Sequence, residues 1–196
     1  MKSKIPLFEA IASFDREAVK EKLAAAKTQR QTILDRFPKT EWADMDLTQY
    51  ALGQQDNKET YCYFLEFQSK ALGSMRGGTS RKMVVYKHKN KPGWSFPDAY
   101  EDEQQAWDAL KSGFLKLFKL ADAENWNAID EIAALQTGPT LRTKTLHVYY
   151  PEAILPIYSI DHIRHFLGIL DLPSESGYLT VRQNRRLLDF FRADQE

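Results

Sequence analysis

Apolar residues fall at helical spacing in several stretches of the chain. Val19, Leu23, Ala26, Ile33 and Phe37 recur near the 3.6 period, with Ser13 as a candidate N-cap and Asp15 and Glu17 suited to a first turn. Pro38 ends the run, so the pattern predicts a long amphipathic helix. Ala106, Trp107, Leu110, Phe114, Leu117 and Phe118 predict a second such helix starting near Asp102 and Glu103, and Ile129, Ile132 and Leu135 a shorter third. Ser159 caps a predicted helix through His162 and Phe166 that Gly168 can end, and a basic amphipathic helix follows around Arg185 to Arg192. Two segments, Thr60 to Phe67 and Lys82 to His88, are rich in aromatic and β-favouring residues and predict two strands of one antiparallel sheet. Residues 141–150 fit both periods and stay open.

Helices outnumber strands without regular alternation, which predicts an α+β fold: a helix-rich single domain over residues 1–196 with a small antiparallel sheet, opened by a helical segment at 1–38. A hydrophobic fraction of 43% and a charged fraction of 28% suit a packed core and argue against long disordered tracts. The lone cysteine, Cys62, has no partner for an internal disulfide and sits in the apolar run Tyr61-Cys62-Tyr63-Phe64-Leu65, as a buried thiol would. No signal-peptide pattern and no run of about 20 apolar residues is present, so a cytoplasmic location without a membrane partner is expected.

Charge changes the picture. The 27 basic and 27 acidic residues cancel, yet they are segregated locally. Between Phe67 and Pro97 there is no Asp or Glu, while Lys70, Arg76, Arg81, Lys82, Lys87, Lys89 and Lys91 are all cationic. Acid returns at Asp98, Glu101, Asp102 and Glu103. Such a run on a strand-loop-strand unit can follow a phosphate backbone, with His88 adding a hydrogen-bonding group and the backbone N–H groups of Gly77 and Gly78 forming an anion nest. The competing reading is a solvated hairpin whose lysines protect a sheet edge. Trp42, Trp94 and Tyr86 are the aromatic candidates for contact with a base, Trp42 and Trp94 because they lie in predicted loops.

Other chemistry is weakly signalled. Gly73, Gly78 and Thr79-Ser80 resemble a phosphate-binding loop, but Thr79 stands where the lysine belongs and a predicted strand follows in place of a helix. Asp161, His162 and His165 could be taken for metal ligands, since histidines three apart share a helix face, but with no Cys partner they read as surface histidines and no metal is expected. Asp56-Asn57-Lys58 lies in a polar loop and lacks the converging acids of a nuclease. No Ser/His/Asp or Cys/His arrangement is present, so neither catalysis nor a cofactor is expected.

Four strings, in order, carry a resemblance. Asp46-Leu47-Thr48-Gln49-Tyr50-Ala51-Leu52-Gly53, Tyr61-Cys62-Tyr63-Phe64-Leu65-Glu66-Phe67, Leu72-Gly73-Ser74-Met75-Arg76-Gly77-Gly78 and Tyr150-Pro151-Glu152 through Leu155-Pro156-Ile157-Tyr158-Ser159 look like the region preceding the motor in McrB-like AAA+ ATPases of modification-dependent restriction. The likeness spans residues 42–190. It implies an N-terminal DNA-binding specificity domain of an antiviral restriction system, recognising DNA with or without a modified base, with an AAA+ motor and a separate nuclease subunit as partners. The motor's nucleotide-binding motifs are absent here, so an excised domain or a stand-alone relative without hydrolytic activity is implied. The rival expectation is a protein-interaction, sensor or assembly domain of the same kind of defence ATPase.

Overall fold

The structure is a computed structural model and describes residues 9, 13–54, 57–75, 79–88 and 92–193. It is an α+β arrangement dominated by helices, with one two-stranded antiparallel sheet among the described residues. Its axis is a helix, α5 (Pro139–Tyr149), in the segment that fits both periods. Residues 141–148 are all buried, although they include Arg142, Thr143, Lys144, Thr145 and His147. A polar helix can occupy a core only if its polar groups find partners. Here the Tyr61 hydroxyl donates to Thr145 at 2.8 Å, Thr143 to Thr180 at 2.7 Å, and His147 Nδ1 lies 2.6 Å from the Ile154 carbonyl. Pro139 at the first helical position gives up no hydrogen bond there.

The opening helix, α1 (Lys20–Arg36), follows a 3-10 turn at Glu17–Val19. Asp15, not Ser13, supplies the cap, accepting from the Glu17 and Ala18 amides at 2.9 and 3.3 Å. Among the described residues the packing of α1 is concentrated in its second half: Ile33 is buried and Leu23 is exposed. A four-residue helix, α2 (Leu47–Tyr50), carries a capping box between Asp46 and Gln49.

The segment predicted as the first strand is helical instead. Thr60 caps α3 (Tyr61–Tyr63), accepting from the Tyr63 amide, and the chain runs on into a π-helical turn at Phe64–Gln68. The buried positions are 60, 61, 62, 65 and 69, which is helical spacing and not alternation, so packing overrides the weak β preference of aromatic side chains. The second predicted strand shrinks to β1 (Tyr86–Lys87), preceded by a 3-10 turn at Ser80–Met83. Its partner is β2 (Trp94–Ser95), across the Pro92-Gly93 turn, in the register Tyr86 opposite Ser95 and Lys87 opposite Trp94.

The remaining helices lie close to their predicted places. Asp102 caps α4 (Glu103–Asp122), accepting from the Gln105 amide at 2.7 Å. The predicted third helix is two 3-10 pieces, Trp126–Glu131 and Ala133–Leu135. The last two are α6 (Ile160–Ile169), which runs through Gly168, and α7 (Thr180–Ala193). The main apolar cluster joins α4, α5, α3 and the turns around residues 42–51. A separate cluster of Ile163, Leu167 and Leu187 joins α6 to α7. No helix among the described residues is long and apolar enough to cross a membrane.

Candidate nucleic-acid interface

The root of the glycine loop is pinned from inside the protein. Lys144 of α5 donates to the Gly73 carbonyl at 2.7 Å and to the Ser69 carbonyl at 3.3 Å. Tyr158 donates to the Leu72 carbonyl, and Lys82 to the Met75 carbonyl at 2.7 Å. The π-helical turn presents Glu66 to Lys82, forming an ion pair at 2.7 Å whose side chains are only 11% and 14% exposed. Gly73 adopts φ +97, and a Cβ there would lie 3.1 Å from both the Pro156 carbonyl oxygen and the Tyr158 ring, so the close approach requires glycine. Two of the four strings behind the resemblance thus meet here, Leu72 and Gly73 against Pro156 and Tyr158.

Burial sets the protonation of this cluster. Desolvation pushes the Lys144 amine down to about 7, opposed by the Glu66 carboxylate and reinforced by Lys82. Its Nζ also lies 5.5 Å from the Tyr158 ring centroid. Desolvation lowers His147 as well, and burial raises the Tyr158 hydroxyl far above its usual range.

In front of this root opens a cleft of about 870 Å³. One wall is the loop flank, Ser74, Thr79, Arg81 and Lys82; a second is Thr137 and Thr140 at the start of α5; a third is Ser159, His162 and Phe166 on α6, with Tyr178 alongside. No carboxylate is among the described lining residues. Pro139 and Thr140 of this helix start line the cleft, Gly138 provides no side-chain cap for α5, and the first turn carries no acid to offset the partial positive charge of the helix end. A positive-φ γ-turn at Val84 (φ 67), closed by the Val85 amide on the Met83 carbonyl at 2.8 Å, brings the Val84 methyl beside Gly138. There a Cβ on residue 138 would lie 2.8 Å from that methyl, which couples the loop flank to the start of α5.

The described members of the predicted cationic run sit in different surroundings. Arg81 is exposed and Lys82 half-buried on the cleft wall, but Lys82 is engaged by Glu66. Lys70 is exposed next to Ala71, whose amide donates to Gln29 of α1 at 2.8 Å. Lys87 and His88 are exposed on the hairpin side, with the Lys87 amide donating to the Leu52 carbonyl at 2.9 Å and its Nζ 5.3 Å from the Trp94 ring centroid. Arg76, Gly77, Gly78, Lys89 and Lys91 lie outside the described residues. Two aromatic candidates are core residues. Trp42 is fully buried between Phe114 and Tyr61, with ring centroids at 4.6 and 4.8 Å, and its indole N–H donates to the Tyr149 hydroxyl at 2.8 Å. Tyr86 is buried too, so neither ring is placed to meet a base, and Trp94 is half-buried against the core. The polar turn that holds Trp42 misleads because the ring turns inward.

The exposed rings at the cleft are Phe166 and Tyr178 instead. Ile160, Ile163 and Leu167 form the buried face of α6 and Phe166 falls outside that set, although its place three residues after Ile163 suits the apolar face, so spacing alone does not mark it as exposed. Asp161, His162 and His165 are exposed, and no group of three or more metal-ligating side chains converges among the described residues. Comparison with protein-family models, with curated proteins and with solved structures returns no match.

Proposed function

We propose that this chain is a DNA-binding specificity module of the kind that serves a McrB-like restriction system, and that the cleft beside the glycine loop is its DNA-contacting surface. The observation that carries the reading is the cleft's composition: an exposed Arg81, hydroxyls from Thr79, Thr137, Thr140 and Ser159, and a helix start, with no carboxylate among the described lining residues. Phosphates are bound by such a mixture of guanidinium, hydroxyl and helix-terminal N–H groups. In this reading the chain binds DNA, while nucleotide hydrolysis and strand cleavage fall to a separate motor and nuclease.

The test is a binding screen against unmodified, methylated, hydroxymethylated and glucosylated DNA at two salt concentrations. Arg81→Glu should weaken every complex and flatten the log–log salt dependence by about one unit, since one phosphate contact is lost. Lys82 is excluded from that variant because its pairing with Glu66 supports the fold. Equal affinity for wild type and Arg81→Glu would remove the cleft from the DNA reading. A protein-docking role is favoured by one observation, the exposed Phe14 and Leu23 at the N-terminal side of α1. Failure to bind any of these DNAs, together with loss of self-association or partner capture in Leu23→Glu, would favour it.

A further inference from the structure

The connection between α6 and α7 is fixed at its backbone more firmly than its surface position requires. The buried Arg142 guanidinium donates to the Tyr178 carbonyl at 2.7 Å. Arg164 of α6 donates to the Gly177 and Glu175 carbonyls at 2.7 and 3.1 Å. Arg186 of α7 donates to the Pro173 carbonyl at 2.5 Å and to the Glu175 carboxylate at 2.8 Å, and Arg182 reaches that carboxylate at 3.5 Å. Guanidinium groups from three helices therefore order this stretch of chain.

The Tyr178 ring has no such anchoring among the described residues. It is 64% exposed on the cleft wall, and Phe166 on the same cleft is 42% exposed. An exposed ring on an ordered backbone loses little conformational entropy on binding, as a preorganised contact residue should. Rings of this kind stack on planar groups. In a duplex, base faces are covered by their neighbours and only base edges are open, so a stacking ring needs a base that is unpaired.

Given the DNA reading above, on which this rests, we infer that the cleft takes unpaired nucleotides of single-stranded DNA, with Tyr178 and Phe166 stacking on bases while Arg81 and the start of α5 hold phosphates. The lining fits such a strand on both counts, because aromatic faces and anion-binding groups share one concave surface without a carboxylate among the described lining residues. Stacking of this type tolerates any base, so the inferred preference is for strand state and not for sequence.

Fluorescence anisotropy of the whole chain with a labelled thymidine oligonucleotide of about 15 nucleotides, and with a duplex of equal length, tests it. The single strand should bind at least about tenfold more tightly than the duplex, with Tyr178→Ala and Phe166→Ala each weakening it about tenfold and Tyr178→Phe preserving it. Both rings are exposed, so circular dichroism should show unchanged folds. Duplex binding as tight as single-strand binding, or a Tyr178→Ala variant that binds the single strand like wild type, overturns the inference and leaves the DNA reading standing. Wild-type protein that binds neither DNA overturns the inference, and if it also binds none of the modified DNAs in the screen above, the DNA reading falls with it.

Discussion

At the scale of single residues, Lys144 links fold and candidate site most directly. A buried amine is stabilised here by two carbonyls and a nearby carboxylate, and it still sits at about 7 because desolvation outweighs them. The folded form therefore releases a proton well below the ordinary lysine value of 10.5, and the unfolded chain binds more protons throughout that window. Stability contributed by this group is fully present above the unfolded value and is lost as pH falls through about 7. His147, also depressed by burial, acts in the same direction but below its ordinary value of 6.5, so the two windows separate. Urea denaturation of wild type and Lys144→Met should show the wild type gaining on the variant by on the order of 2 to 4 kcal/mol as pH rises from about 7 to about 10. A stability difference that stays flat across that range would contradict a titrating buried amine.

At the scale of elements, legibility followed periodicity. α4 and α7 could be read because apolar residues repeat on one face of each, and the Asp102 cap marked where α4 begins. α5 could not, because its polar side chains are buried and their partners are remote in sequence. Arg142 pairs with Asp130 and donates to Thr180 at 3.0 Å, while Asp130 accepts from the Val181 and Arg182 amides at 3.2 and 2.8 Å at the start of α7. Nothing local announces such a knot. The same limit hid the site: a run of cations is visible along the chain, but Glu66 withdrawing Lys82, and Trp42 turning inward, depend on contacts made across the fold. Because the Asp130–Arg142 pair is fully buried, Asp130→Asn leaves a guanidinium short of its counter-charge and should cost about 3 to 5 kcal/mol in denaturant midpoint analysis. Arg142→Met combined with Asp130→Asn should cost less than the sum of the two single variants, since each alone strands the other's partner. Simple additivity would mean that the two side chains do not act as a pair.

At the scale of the whole molecule, the cleft lies where two unequal apolar clusters meet. Its loop wall and the start of α5 belong to the main cluster, whereas α6 packs through Ile163 and Leu167 on Leu187, with Leu155, Ile157, Leu170 and Leu172 around them. A small cluster holds its helix with less buried apolar surface, so α6 should open at lower free energy than α4. Leu167 is fully buried in that cluster, and Leu167→Ala should remove about 2 to 3 kcal/mol from the opening free energy of α6. Amide hydrogen exchange distinguishes a local from a global effect. Faster exchange in α6 with α4 unchanged is expected, and DNA affinity should fall with it, because the α6 wall carries Phe166 and His162 into the cleft. Equal acceleration in α4 would show that the two clusters unfold as one body, and the cleft would then be a fixed groove, not a junction able to adjust one wall to its ligand.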